Sequence, residues 1–365
     1  MHKPIVHVLV ALALASTGCA HRLERGVLAR HSGAEIDEAR AFVDSMRLAQ
    51  SLPGVGVTVV QAGRPVWSEG LGVADREHAV AATPATKFRV GSVSKLFTAA
   101  ALMRLVDAGL LDLDTPIRKY LPRYPSTLPD VTLRQLAGHT SGIRHYRGVE
   151  FLSTAEYASL SDAIGIFIGD TLLFPPGSRY SYSSYGYNLI GAVIETVTGE
   201  PFPTMVDRLV FTPLGMLNTV PDSSGRIILG RAALYRVAAD GNVTTAPSDN
   251  LSSRWPSGGY LSTTQDLAQF GVGVRRPGFL TAKSLSLMFA PQRLSTGSTT
   301  QVGIGWRIAT DSAGRVYYHH GGSSNGGAAF LLVYPIQETV VAMGSNALGS
   351  WSAPEARRVA AFFLR

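Results

Sequence analysis

The run Gly91-Ser92-Val93-Ser94-Lys95-Leu96-Phe97-Thr98 sets a serine hydroxyl three residues ahead of a lysine amine. The spacing of Leu96, Ala99, Ala100, Met103 and Val106 predicts a helix that begins there and stops at Gly109. At i and i+3 the two side chains share one face of the first turn, so the amine can hydrogen-bond the hydroxyl. The positive end of the helix dipole favours an alkoxide or oxyanion at the same place. A serine hydroxyl is inert at neutral pH without a base beside it, and a desolvated lysine can be that base. Arginine cannot, because it keeps its proton in proteins. Only 5 of the 33 Lys and Arg residues are lysines, so a lysine at this spacing runs against the bias of the chain. S-x-x-K alone is a common tetrapeptide, and the rest of the sequence has to decide the matter.

Three other segments carry candidate chemistry. Tyr182-Ser183-Ser184 leads into an apolar helix over 188–197, so a phenol and a hydroxyl at i and i+2 can enter one site from a loop. His319-His320-Gly321-Gly322 closes a strand ahead of a glycine-rich turn, where small residues let a substrate backbone approach. Residues 131–142 predict a helix that ends in a polar loop at His139.

The elements that must hold these groups follow from periodicity. An amphipathic helix is predicted over 36–51 and a strand over 55–61. A turn at 62–65 then leads into a second strand through Val66 and Trp67. The pattern over 98–214 is mostly helical. Strands return at 302–309, 315–319, 328–334 and 339–343, and a last helix follows Pro354. This predicts an α+β fold: an antiparallel sheet built from both chain ends, flanked by N- and C-terminal helices, with a mostly helical part beside it. The sheet part covers about 34–91 and 255–365, and the helical part about 92–254. Ser92 falls at the junction, where pockets form.

The 365 residues are 45% hydrophobic and 16% charged, with a formal net charge of +7, which describes a globular chain with room for one large or two ordinary domains. The arginines are dispersed, with no basic block or aromatic-interleaved stripe, so no nucleic-acid partner is expected. Residues 1–18 resemble a signal peptide: His2 and Lys3 start it, 5–15 is apolar, and Ser16-Thr17-Gly18-Cys19 resembles a lipoprotein box. Cys19, the only cysteine, is the expected lipidation site, and 19–33 reads as a tether to a membrane. The alternative is an ordinary secretory signal cut near Ala15 or Ala20. Both versions export the protein to a bacterial periplasm, the first as a lipoprotein.

With these segments in order, the chain from about residue 36 onward resembles the serine β-lactamase-related hydrolases. That group holds class C β-lactamases, D-alanyl-D-alanine peptidases, related esterases and the mitochondrial β-lactamase-like protease. Gly91-Ser92-Val93-Ser94-Lys95 matches the first box and Tyr182-Ser183-Ser184 the Tyr-x-Asn box. His319-His320-Gly321 matches the Lys-Thr-Gly box in its His-x-Gly form. His139-Thr140-Ser141-Gly142-Ile143, Pro213-Leu214-Gly215-Met216 and Gly258-Gly259-Tyr260-Leu261-Ser262-Thr263 also resemble recurrent family segments. The resemblance implies a β-lactamase/transpeptidase-like fold, Ser92 as the acylated nucleophile, and Lys95 and Tyr182 sharing proton transfer. Which of the two is the base stays open. It further implies an oxyanion hole from the N–H groups of Ser92 and Gly322, beside a substrate-binding stretch with Ser184, His319 and Gly321. No metal or other cofactor is expected. The substrate would be a small molecule or peptide, peptidoglycan-derived or a β-lactam.

Two departures bear on the substrate. Ser184 replaces an asparagine amide, and His319 replaces a lysine, so a fixed positive charge becomes a mostly neutral ring at pH 7. Both predict a weak grip on carboxylate-bearing β-lactams relative to esters or peptides. Gly322-Ser323-Ser324-Asn325-Gly326 fits the nucleophile elbow of α/β-hydrolases literally, but a strand follows it and no histidine occurs after His320. His139 reads as a loop brace in preference to a partner of Ser92. His319 and His320, adjacent on a strand, point to opposite faces and make a poor metal pair. A catalytically weak binding or scaffold protein of the cell envelope is the alternative from another class, and an acyl-serine adduct separates it from a hydrolase.

Overall fold

The computed structural model describes residues 33–349 and 351–364. The signal-type segment, Cys19 and nearly all of the tether lie outside the described residues. After the helix α1 (Gly33–Ala49) come β1 (Gly54–Gln61), β2 (Arg64–Asp75) and β3 (Val80–Ala81). The main helices of the middle are α2 (Ser94–Asp107), α3 (Ser184–Thr198) and α4 (Thr264–Gly273). Four strands follow, β4 (Arg307–Thr310), β5 (Val316–Ser324), β6 (Gly327–Tyr334) and β7 (Thr339–Ser345), and α5 (Ala353–Ala361) ends the chain. The seven strands form one antiparallel sheet in the order β3-β2-β1-β7-β6-β5-β4. β1 pairs with β7, from Val55 opposite Ser345 to Gln61 opposite Thr339, so the sheet is closed by the two ends of the chain. The fold is α+β, as expected.

Alternation explains the layers. Val55, Val57 and Val59 of β1, Phe330 and Leu332 of β6, and Val341 and Met343 of β7 bury against α1 and α5 in one core. The intervening Val60, Leu331, Val333, Val340 and Ala342 join a second core shared with α2, α3 and α4. A strand buried on both faces reads as a continuous apolar run, which is why β6 and β7 look unbroken in sequence. Three element boundaries differ from expectation. The predicted strand at 302–309 is extended only from Arg307. Before it, Gly305 has φ +87°, and a Cβ on Gly303 would stand 2.1 Å from the Met288 carbonyl. α3 starts at Ser184 because Ser183 caps it, its Oγ accepting from the Gly186 N–H at 3.0 Å. β5 continues past His319 to Ser324.

The segment leading to Ser92 is braced by a buried charge cluster. Arg89, on a two-residue strand paired with Tyr260–Ser262, donates to Asp222 and Asp249 at 2.6 Å each. Arg254 donates to the other Asp249 oxygen at 2.6 Å. Two guanidinium groups meet two carboxylates, and the Asp249 side chain is 0% exposed. Removing one partner of such a cluster strands a buried charge. Asp249→Ala should therefore lower unfolding free energy in urea by about 3–5 kcal/mol. A loss below about 1 kcal/mol would show that the cluster behaves like a surface ion pair.

Candidate active site

Ser92 sits in a 3-10 turn, Gly91–Val93, that runs directly into α2, so the expected shared face with Lys95 is present although the α-helix itself begins at Ser94. The turn is pinned to β5 by two absent side chains. Gly91 has φ +49°, and a Cβ there would stand 2.6 Å from the Ser323 carbonyl oxygen. A Cβ on Gly322 would stand 1.9 Å from the Val90 carbonyl oxygen and 2.8 Å from the Ser92 nitrogen. The glycines admit the backbone of the nucleophile turn itself, whereas the sequence suggested an approaching substrate.

Lys95 is fully buried. Its Nζ donates to Ser92 Oγ at 3.1 Å, Ser184 Oγ at 3.0 Å and the Ser257 carbonyl at 2.7 Å. A neutral amine has two N–H groups and one lone pair. With the N–H groups on Ser184 and Ser257, the lone pair is left for the Ser92 proton. Burial pushes the Lys95 pKa down to about 7; Tyr146 opposes this and Arg307 adds to it. The ring of Tyr182 lies 5.0 Å from Lys95 Nζ. Burial raises the Tyr182 pKa, while the nearby Ser92 and Ser184 hydroxyls and Arg307 oppose the rise.

These values separate the two base candidates. If Lys95 is the base, kcat/KM for a neutral ester should rise tenfold per pH unit up to about 7 and be flat above it. A tyrosinate base would instead give a rate still climbing beyond pH 9, because burial holds the Tyr182 pKa above its ordinary value. A pH–rate profile between 5 and 10 reads the difference, and a climb continuing past pH 9 would displace Lys95 from the role.

The histidine expected at the site is corrected. His319 stacks on Phe330 at 5.5 Å and lies 5.3 Å from Tyr317, ring centre to ring centre, on the side facing α1 and α5. Gly321 shares that side, where a Cβ would meet Phe330. His320 is the one turned toward the site: it is buried, with its ring 6.4 Å from that of Tyr182 and on the same side of β5 as Gly322. Its Nδ1 lies 2.7 Å from the Gly321 carbonyl. A carbonyl only accepts, so Nδ1 carries the proton and Nε2 is left as an acceptor. Burial first, then the charges of Lys95 and Arg307, hold its pKa well below the ordinary histidine value. The ring is neutral at pH 7.

His139 acts as a brace. It is buried with φ +59°, accepts the Ser183 N–H on Nδ1 at 3.2 Å, and packs 4.5 Å from the Tyr182 ring. Ser324 ends β5, and after Asn325 and Gly326 the chain turns into β6, so the elbow-like run lacks its helix. Sequence reasoning passed over Ser257, whose carbonyl holds Lys95, and His145, which accepts the Ser184 N–H on Nδ1 at 3.2 Å and meets Tyr182 edge-on. It also passed over Arg307, whose guanidinium carbon lies 5.7 Å from the centre of the Tyr182 ring. A backbone carbonyl leaves no mark in sequence. His145 stands two residues after the family-like run 139–143 and could have been noticed.

The Beta-lactamase family profile matches residues 34–365. The chain is 27% identical over 352 residues to the Bos taurus serine beta-lactamase-like protein LACTB, mitochondrial, covering 72% of this chain and 63% of that protein. It thus spans less than two thirds of that relative's length. A penicillin binding protein from Bacillus halodurans superposes with a TM-score of 0.74 at 25% identity, over 88% of this chain and 98% of the other. The D-amino acid amidase of Ochrobactrum anthropi SV3, solved with D-phenylalanine, gives 0.77 at 22% identity, over 91% and 98%.

Proposed function

The chain belongs to the Beta-lactamase family and is a serine hydrolase of that type, and on this premise we propose that it cleaves an amide or ester through an acyl-enzyme on Ser92. The observation that carries the reading is a fully buried Lys95 amine, 3.1 Å from Ser92 Oγ, with its pKa pushed down to about 7. In the proposed sequence neutral Lys95 takes the Ser92 proton as Oγ bonds to the substrate carbonyl carbon. The tetrahedral oxyanion then collapses, the C–N or C–O bond breaks, and the leaving group departs with a proton returned through Lys95 or Tyr182. Water repeats the attack on the acyl-serine ester and releases the acid. Two backbone N–H groups receive the oxyanion, an arrangement worth about 3 kcal/mol per donor. One is that of Ser92. Because His320-Gly321-Gly322 is the His-x-Gly stretch turned toward the site, the second donor moves one residue along β5, from Gly322 to Ser323.

A D-amino-acid amide or peptide, an ester and a β-lactam remain the substrate classes for this site, the first supported by the fold shared with the D-amino acid amidase. The apolar start and Cys19 support export to a bacterial periplasm and a lipid anchor. Cys19→Ser should release the mature protein from the membrane fraction, and a soluble, unmodified protein beginning after Ala20 would remove the anchor from the proposal. The reading as a whole is tested by incubating the protein with a chromogenic β-lactam, short-chain esters and D-amino-acid anilides. Intact mass is followed, and the adduct is mapped. Turnover of one class with an acyl group on the Ser92 peptide is expected. A folded protein that shows neither turnover nor adduct would support the binding role instead.

A further inference from the structure

His145 enters the site from the loop that carries His139, and its two ring nitrogens have separate tasks. The Ser184 N–H donates to Nδ1 at 3.2 Å. A backbone N–H only donates, so Nδ1 is the bare nitrogen and Nε2 carries the proton. Among the described residues no group accepts that Nε2–H. The ring is held from two sides, with its centre 4.6 Å from that of Tyr146 and 5.5 Å from that of Tyr182. Of the three imidazoles against the Tyr182 ring, His139 and His320 are buried and His145 is exposed. An exposed ring that touches Tyr182 and feels the charge of Lys95 borders the cleft in front of Ser92. Burial first, then Lys95, lowers its pKa to about 4, so it is neutral at pH 7. The polar groups next to it are already committed. Ser184 Oγ accepts from Lys95 at 3.0 Å while its hydroxyl serves the Tyr182 phenol, and Tyr146 Oη lies 3.0 Å from Ser257 Oγ.

We propose that the Nε2–H of His145 is a substrate-binding donor, which takes a carbonyl oxygen of the substrate other than the one Ser92 attacks. A neutral N–H held in a fixed direction at the edge of a cleft is the kind of group that orients a ligand. The attacked carbonyl turns instead toward the backbone donors of the Ser92 turn and β5. The substrate class that follows is an acyl group with a second carbonyl, N-acylamino or peptide-like, in preference to a plain alkanoyl group. A site built around such a bond disfavours the analogue that lacks the acceptor. The inference deepens the hydrolase reading and rests on it. It also revises the expectation drawn from Ser184, because a donor stands beside that residue even though its own side chain is engaged with Lys95.

The kinetic arm of the test compares 4-nitrophenyl N-acetylglycinate with 4-nitrophenyl pentanoate, acyl chains of equal length of which only the first has the second carbonyl. Their kcat/KM ratio should fall about fivefold in His145→Phe, the scale of one neutral hydrogen bond, and His145→Gln, which keeps an N–H donor and an acceptor, should restore part of it. Intrinsic reactivity, and any loosening of Ser184 or Lys95, reaches both variants or both esters and cancels in this comparison. Equal slowing of the two esters in folded His145→Phe would reduce His145 to a support for Ser184 and overturn the proposal. The binding arm needs no turnover. In a Ser92→Ala background the 4-nitroanilides of N-acetylglycine and pentanoic acid are compared by calorimetry, and their affinity ratio should fall by the same factor of about five in His145→Phe. An unchanged ratio, or no binding of either anilide, would overturn the donor. A ratio that depends on His145 in a protein whose Ser92 is never acylated would retain the donor and remove the hydrolase reading. Acylation of Ser92 with no such dependence would do the reverse.

Discussion

Ser92→Ala should abolish covalent labelling by a fluorophosphonate or penicillin probe and lower turnover by about 10⁶-fold, the scale seen when a serine nucleophile is removed from an interdependent catalytic set. The size of the effect follows from the geometry. Ser92 Oγ is the one hydroxyl that both touches Lys95 and rides the turn seated on β5. Ser184 Oγ is equally near the amine, but it begins α3 and is not part of the turn seated on β5. Ser324→Ala, at the far end of β5, should keep the labelling. Adduct formation on Ser324 or Ser184 in the Ser92→Ala protein would reassign the nucleophile.

Lys95→Arg should slow acylation by about 10²–10⁴-fold, the usual scale of general-base assistance. The substitution preserves a positive charge and near-equal length but cannot release a proton at any working pH. It also enlarges a group that is wholly enclosed and bonded to three oxygens, so folding has to be checked by near-ultraviolet circular dichroism. Lys95→Met gives a second, uncharged variant of similar shape with the same expected loss. Near-normal acylation in either folded variant would move the base to Tyr182. Both substitutions leave the nucleophile in place, so slow labelling of Ser92 should persist and mark the defect as one of proton transfer.

Much of this architecture was readable from residue order, and the unread parts share physical causes. The helical spacing after Ser92 and the runs of β6 and β7 are local patterns, so the sheet from both chain ends could be inferred. Parity along β5 could not. His319-His320-Gly321 and His320-Gly321-Gly322 both satisfy His-x-Gly, and a shift of one residue exchanges the faces of a strand. Only the seating of Gly322 against Val90 and Ser92 decides between them. Arg307 carries no local signature in a chain rich in arginine, and its place beside Tyr182 comes from strand pairing. The Arg89–Asp222–Asp249–Arg254 cluster joins residues far apart in the chain, beyond any short-range pattern. The N-terminal cap of α3 was a local signal in Ser183 that periodicity alone overlooked.

The pairing of β1 with β7 dictates an order of events during folding. Contacts between opposite chain ends are entropically expensive to close and slow to form. On a growing chain, β1 and β2 can form a hairpin, but the valine row of β1 has no neighbour on its other edge until the last strands are made. The nucleophile turn is in the same position: Gly91 and Ser92 emerge early, while the β5 backbone against which they rest comes almost at the end. A nascent or C-terminally truncated chain therefore carries its S-x-x-K segment without a seat. Hydrolytic competence should switch on in a single late step, after β5, β6 and β7 have joined the hairpin, and no fragment lacking these strands should acylate.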